Sequence, residues 1–127
     1  MKIKMYQVDA FAEKLFTGNP AAVVILESSL KKNQMQSIAL ENNLSETAFV
    51  SINESPIYIR WFTPSIEVDL CGHATLASAR ILFEYYPELA GDEINFDSKS
   101  GILKVTKNKD NLCLNFPEDQ PVLLESD

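Results

Sequence analysis

The chain has 127 residues, of which 46% are apolar, and its 18 acidic residues outnumber 11 basic ones to give a net charge of −7. This length and apolar content are typical of one globular domain, and they exclude a disordered chain, a collagen or a repeat array. The negative charge and the scattered basic residues argue against binding to nucleic acid or to anionic lipid. The sequence shows neither a signal peptide nor an apolar run near the roughly 20 residues of a membrane helix, so we expect a soluble cytoplasmic protein.

Apolar patterns predict seven strands and two helices. The strands are expected at about 3–8, 21–26, 47–52, 57–63, 93–96, 102–107 and 112–116, and the helices at about 30–42 and 73–86. Ser28 and Ser29 are expected to cap the first helix, and Pro87 to end the second. Apolar residues surround most of the second helix, so other elements should enclose it. The order predicts an α+β fold in which a strongly curved mixed β-sheet wraps around a central helix.

Glu46 is a candidate for proton chemistry because it lies where the first helix has ended and an apolar strand begins. A carboxylate held by a short backbone connection beside hydrophobic groups is suited to giving and taking protons. The alternative, which the local pattern alone favours, is an ordinary solvated glutamate at a helix-strand junction.

The segment 69–75, Asp-Leu-Cys-Gly-His-Ala-Thr, should contain the start of the second helix. Gly72 permits close backbone approach, and the N–H groups of a helix start suit a substrate carboxylate, to which Thr75 could add a hydroxyl. His73, the only histidine, is either a proton donor or acceptor or merely a helix cap. Cys71 could act as a thiolate, but residues two apart on a helix do not face one another, which argues against a nucleophilic pair with His73.

The sequence lacks the motifs of several other kinds of site. Cys71 and Cys113 lie far apart without a C-x-x-C spacing, which argues against a disulfide framework and a structural zinc site within one chain. The sequence lacks a G-x-G-x-x-G motif, a phosphate loop and a G-x-S-x-G elbow. These absences disfavour nucleotide-dependent chemistry and hydrolase-type acyl transfer.

Five short stretches form an ordered series. They are Q-V-D-A-F at 7–11, G-N-P-A-A-V-V at 18–24, N-L-S-E-T-A-F at 43–49, R-W-F-T-P at 60–64 and V-D-L-C-G-H-A-T-L-A at 68–77. Together they resemble the successive signatures of the PhzF-like isomerase family of phenazine biosynthesis. Several signatures in the correct order are more specific than any one of them, and the similarity covers the chain to about Pro117.

The resemblance implies a fold similar to diaminopimelate epimerase, in which two similar halves each wrap a curved sheet around a helix and the active site lies between them. It implies that Glu46 moves a proton on a small carboxylic acid in an isomerisation that needs no cofactor and no metal, with His73 assisting. It further implies that His73 acts at the substrate and that Gly72, with the start of the second helix, holds the substrate carboxylate. We expect Asn19 and Thr75 to contact the substrate as well.

The sequence departs from the family pattern because it resembles one half only. We expect residues 1–117 to be the PhzF-like N-terminal half and 118–127 to begin a crossover, since nothing matches the E-D-P-A-T-G-S-A type of loop in the family's second half. The half should therefore have little or no activity alone, and should pair with a second half or form a dimer. The alternatives are a non-catalytic binding or oligomerisation module and, third, a redox-sensing thiol protein centred on Cys71.

Overall fold

The computed structural model describes residues 3–9, 20–109 and 111–115 of the chain. Its elements are β1 (Lys4–Asp9), β2 (Pro20–Leu26), α1 (Lys32–Asn42), β3 (Glu46–Ser51), β4 (Ile57–Phe62), β5 (Glu67–Val68), α2 (Gly72–Tyr85), α3 (Pro87–Ala90), β6 (Glu93–Ser98), β7 (Gly101–Asn108) and β8 (Asn111–Asn115). All the predicted strands and helices are present, with ends displaced by at most two residues, and the short elements β5 and α3 are additional. Within the described ranges, no helix is long and apolar enough to cross a membrane.

The start of α1 differs from the prediction that Ser28 and Ser29 cap it. The N-cap is Lys31, whose backbone N–H donates to Oε1 of Gln34 at 2.9 Å. Leu30 packs against the hydrophobic cluster that contains Met35, an arrangement typical of a hydrophobic staple. The apolar contact of Leu30 thus keeps it outside the helix, and the two serines remain in the preceding loop.

The ends of the two long helices follow local backbone rules. Asn43 ends α1 in the left-handed conformation, with φ at 53°, and its N–H donates to the Ala39 carbonyl. The helix α2 ends at Tyr85, as expected before Pro87. Pro87 then begins the one-turn helix α3, because the first position of a helix does not need an N–H donor.

The strands form one mixed sheet in the order β1-β2-β3-β4-β6-β7-β8, with β5 paired to β4. The pairs β2/β3 and β4/β6 are parallel and the other pairs are antiparallel. The helix α2 contacts β1, β2 and β3 at one end of this sheet and β8 at the other. A sheet whose two edges both reach one helix must curl around it, so the predicted α+β fold with a central helix is confirmed.

The alternation along β2 separates two hydrophobic clusters. Val23 and Ile25 belong to the large cluster around α2, whereas Val24 and Leu26 belong to a smaller cluster with Met35 of α1. Successive side chains of a strand point to opposite faces, so helices cover both faces of this strand. The helix α2 presents small buried residues to the sheet, and these are Ala74, Ala77, Ser78 and Ala79. Their small side chains allow the helix to lie close inside the curl.

Candidate active site

Glu46 and His73 meet although 27 positions separate them in the sequence. Glu46 is the first residue of β3, and His73 is the second residue of α2. Their side chains approach to 2.9 Å between Oε1 of Glu46 and Nε2 of His73. With the carboxyl ionised, the imidazole Nε2–H donates and the carboxylate accepts. The two side chains are 19% and 17% exposed, so the pair is partly shielded yet reachable from solvent.

The start of α2 places the backbone of Gly72 beside this pair. Cys71 is the N-cap, with an extended backbone at φ −145° and ψ 105°, and Gly72 is the first helical residue. The Thr75 N–H donates to the Cys71 carbonyl at 3.1 Å, which closes the first helical turn. The N–H groups that precede it in a helix have no intrahelical acceptor and lie at the positive end of the helix dipole. The predicted carboxylate position therefore lies next to the Glu46–His73 pair.

Thr75 lies in the first turn of α2, as expected, and its hydroxyl is buried. Its side chain has 0% exposure, and its hydroxyl donates to the Cys71 carbonyl at 2.7 Å. The same oxygen accepts the indole Nε1–H of buried Trp61 at 3.0 Å. The hydroxyl is therefore bonded to protein groups on both sides, and its contact with a substrate stays a prediction. The hydroxyl ties the start of α2 to strand β4.

Cys71 also lies at the site. The sulfur of Cys71, a carboxylate oxygen of Glu46 and a ring nitrogen of His73 all lie within 4.8 Å of one another. Cys71 is 7% exposed, and neither it nor the exposed Cys113, the two cysteines of the described ranges, forms a disulfide. The helical-spacing argument against proximity of Cys71 and His73 does not apply, because Cys71 precedes the helix with an extended backbone. The sequence could have indicated this proximity, because an N-cap residue precedes the helix and the helical spacing rule does not apply to it.

Asn19, the remaining predicted substrate-binding residue, lies outside the described residues. The structure therefore brings together Glu46, Gly72 and His73 of the predicted set and adds the Cys71 thiol. The hydroxyl of Thr75 is buried in the first turn of the same helix.

An ionic cluster fixes the segment that leads into the site, and sequence reasoning missed it. Arg60 donates to both carboxylate oxygens of Glu67, at 2.8 and 2.9 Å, and Lys99 adds a bond of 3.2 Å. Hydrogen bonding with Arg60 is the largest cause that lowers the pKa of Glu67 to about 2. The hydroxyl of Ser100 donates to the Asp69 carbonyl at 2.8 Å. These bonds hold β5 and Asp69, two residues before Cys71, against β4 and the turn between β6 and β7.

Comparisons with known proteins show the family to which the chain belongs. The profile of the PhzC-PhzF family, described as phenazine biosynthesis-like protein, matches residues 8–123. A Pseudomonas aeruginosa protein named as an uncharacterized isomerase is 51% identical over 121 residues, which are 95% of this chain and 46% of that protein. The chain thus spans about half the length of the curated relatives that it matches.

Solved structures show the same correspondence. A crystal structure of a PhzF family protein from Enterococcus faecalis has a TM-score of 0.82 and 51% identity, covering 97% of this chain and 48% of that one. A predicted epimerase from Pseudomonas aeruginosa has a TM-score of 0.66 and 26% identity, covering 85% of this chain and 40% of that one. Both likenesses are consistent with the diaminopimelate epimerase-like fold that the sequence implied.

Proposed function

Because the chain belongs to the PhzC-PhzF family of phenazine biosynthesis-like proteins, we propose that it is one half of an isomerase that moves a proton on a small carboxylic acid without a cofactor. Relatives from two bacteria are named isomerases. The observation that carries the proposal is the 2.9 Å contact between Glu46 and His73 in a partly exposed site. A carboxylate oriented by an imidazole beside an anion-binding helix start has the parts that proton transfer requires.

Glu46 is the general base in the proposed reaction, and its protonated form is then the general acid. One carboxylate oxygen accepts from His73, and the other removes a proton from a carbon of the substrate. The electron pair of the broken C–H bond passes into the unsaturated system of the substrate. Glu46 then returns the proton at another carbon, so the atoms and charges balance without a further reactant.

The start of α2 is the proposed binding site for the substrate carboxylate. The N-terminus of a helix carries about half a positive charge and presents N–H donors, which together suit an anion. Gly72 leaves the approach to this backbone without a side chain. The hydrogen bonds of the Thr75 hydroxyl with the Trp61 indole and the Cys71 carbonyl hold the helix start in position. Asn19 remains a proposed substrate contact.

The replacement Glu46→Gln tests the assignment because it keeps the shape of the side chain and removes the proton chemistry. The assay is uptake of deuterium from heavy water into small amino-acid-like and cyclic carboxylic acids, measured with the complete two-half protein. We expect the variant to lose at least about a hundredfold in rate, which is the usual contribution of a general acid-base residue. Glu41→Gln, an exposed glutamate of α1, is the matched control. Turnover of a true substrate near the wild-type rate in Glu46→Gln would contradict the assignment.

The second half of the site is the remaining part of the proposal. The chain covers 46% of its Pseudomonas relative, so we infer that a second PhzF-like half or a second copy of this chain faces Glu46 and His73. A symmetric dimer would duplicate Glu46 without supplying the residues of a second half, which predicts little or no turnover. Sedimentation of the 127-residue chain at several concentrations should show a dimer, and a compact monomer at every concentration would exclude self-association. Ligand binding without turnover in the complete protein would favour the non-catalytic module.

A further inference from the structure

Three side chains of different chemistry converge at the candidate site. A carboxylate oxygen of Glu46, the sulfur of Cys71 and a ring nitrogen of His73 all lie within 4.8 Å of one another. Carboxylate, thiolate and imidazole are the three ligand types that zinc uses in proteins. The sequence argued against a structural zinc site, which requires four protein ligands, but three ligands make a site of another kind, with one position open.

The distances fit a small tetrahedral cation. Zinc bonds of about 2.0–2.3 Å place the ligand atoms of a tetrahedron roughly 3.3–3.6 Å apart. The Glu46 oxygen and the His73 nitrogen are 2.9 Å apart, and the largest separation among the three ligand atoms is within 4.8 Å. To bind a cation between them, the ligand atoms would have to shift by roughly 1 Å. Small rotations of the three side chains about their single bonds can produce such shifts.

Charge and exposure also fit. The carboxylate and the thiolate carry two negative charges, which balance a divalent cation, and the neutral imidazole adds none. Cys71 is 7% exposed, while the side chains of Glu46 and His73 remain 19% and 17% exposed. The site is therefore partly shielded from water, which strengthens the electrostatic attraction between the ligands and a cation. It is still accessible from solvent. The positive end of α2 opposes the cation but favours the thiolate of its N-cap cysteine.

We propose that Glu46, Cys71 and His73 bind a zinc-like divalent cation as a three-ligand site, and that the bound cation inhibits the protein by occupying Glu46. The inhibition rests on the proposed proton transfer, because a carboxylate that coordinates a divalent cation is a much weaker base toward a substrate proton. The binding itself does not depend on that function. The open fourth position would take water or the carboxylate of a small acid.

Cobalt(II) is the probe, because it replaces zinc in such sites and a bound thiolate gives it a charge-transfer absorption in the near ultraviolet. The 127-residue chain is titrated with cobalt(II), and zinc is then added to displace it. We expect one cobalt per chain, with the thiolate band. The band should disappear in Cys71→Ser and persist in Cys113→Ser, the matched control at an exposed cysteine.

Two further variants separate coordination from a general effect on the fold. Serine is a preferred N-cap residue, so Cys71→Ser should keep the circular dichroism of the wild type. His73→Gln, at a partly exposed position, should weaken cobalt binding at least about tenfold, because loss of a group that only supports a metal ligand already costs about that much. Absence of the band in the wild type, or its persistence in Cys71→Ser, would overturn the proposal. These spectra need no turnover and the heavy-water assay needs no metal, so failure of either proposal is recognised separately.

Discussion

Acid should destabilise the protein through Glu67 in β5, the carboxylate that Arg60 and Lys99 hold in its charged form. The pKa of Glu67 falls from 4.5 to about 2 on folding, with hydrogen bonding to Arg60 as the largest cause. Because the folded-state pKa is the lower one, this stabilisation is fully present above about pH 4.5. It is lost as the pH falls through the interval from 4.5 to about 2.

The size of this contribution to stability follows from the difference between the two pKa values of Glu67. Each pH unit between the two pKa values corresponds to about 1.4 kcal/mol, which gives about 3 kcal/mol for a fully shielded group. The Glu67 side chain is only 4% exposed, but those of Arg60 and Lys99 are 25% and 47% exposed. Water therefore screens part of the interaction, and we expect about 2 kcal/mol in the free energy of unfolding.

Urea unfolding of the wild type and of Glu67→Gln, at about pH 7 and again at about pH 2, measures this contribution. We expect Glu67→Gln to be less stable by about 2 kcal/mol at the higher pH and nearly equal to the wild type at the lower pH. Glu93→Gln is the matched control, because the Glu93 side chain is 44% exposed and lies 3.8 Å from that of Lys104, so its effect should be small at both values. An equal destabilisation by Glu67→Gln at both pH values would refute the reasoning.

Two other predictions concern hydroxyl groups, that of the buried Thr75 and that of the partly buried Tyr86. Thr75→Val keeps the volume but leaves the buried Trp61 indole N–H without its acceptor, so urea unfolding should show a loss of about 1–3 kcal/mol; a variant as stable as the wild type would contradict this. Burial, with a smaller effect from the 3.3 Å contact with the Tyr6 hydroxyl, raises the pKa of Tyr86 to about 12. The unfolded chain ionises this phenol first, so stability should fall between about pH 10 and 12, and Tyr86→Phe should flatten that fall.

Local pattern was sufficient for the seven predicted strands, the two long helices and the fold class, but not for β5, α3 or the N-cap of α1. The β-branched run at 21–26 predicted a buried strand, and the structure covers it on both faces. The apolar circumference of the helix at 73–86 predicted its enclosure, and the sheet curls around it. Such features depend on the side chains of neighbouring residues, so a sequence reveals them without knowledge of long-range contacts.

The local pattern of the sequence offered Glu46 and the Gly72–His73 helix start as candidate positions. The resemblance to a known family, and not the local pattern, then favoured Glu46 over an ordinary solvated glutamate. Only the tertiary structure decided that Glu46 and His73 touch, since their contact depends on how β3 and α2 meet across the curled sheet. The tertiary structure likewise buried Thr75 against Trp61. Its side-chain direction depends on what packs beneath the helix, and no local spacing specifies that direction.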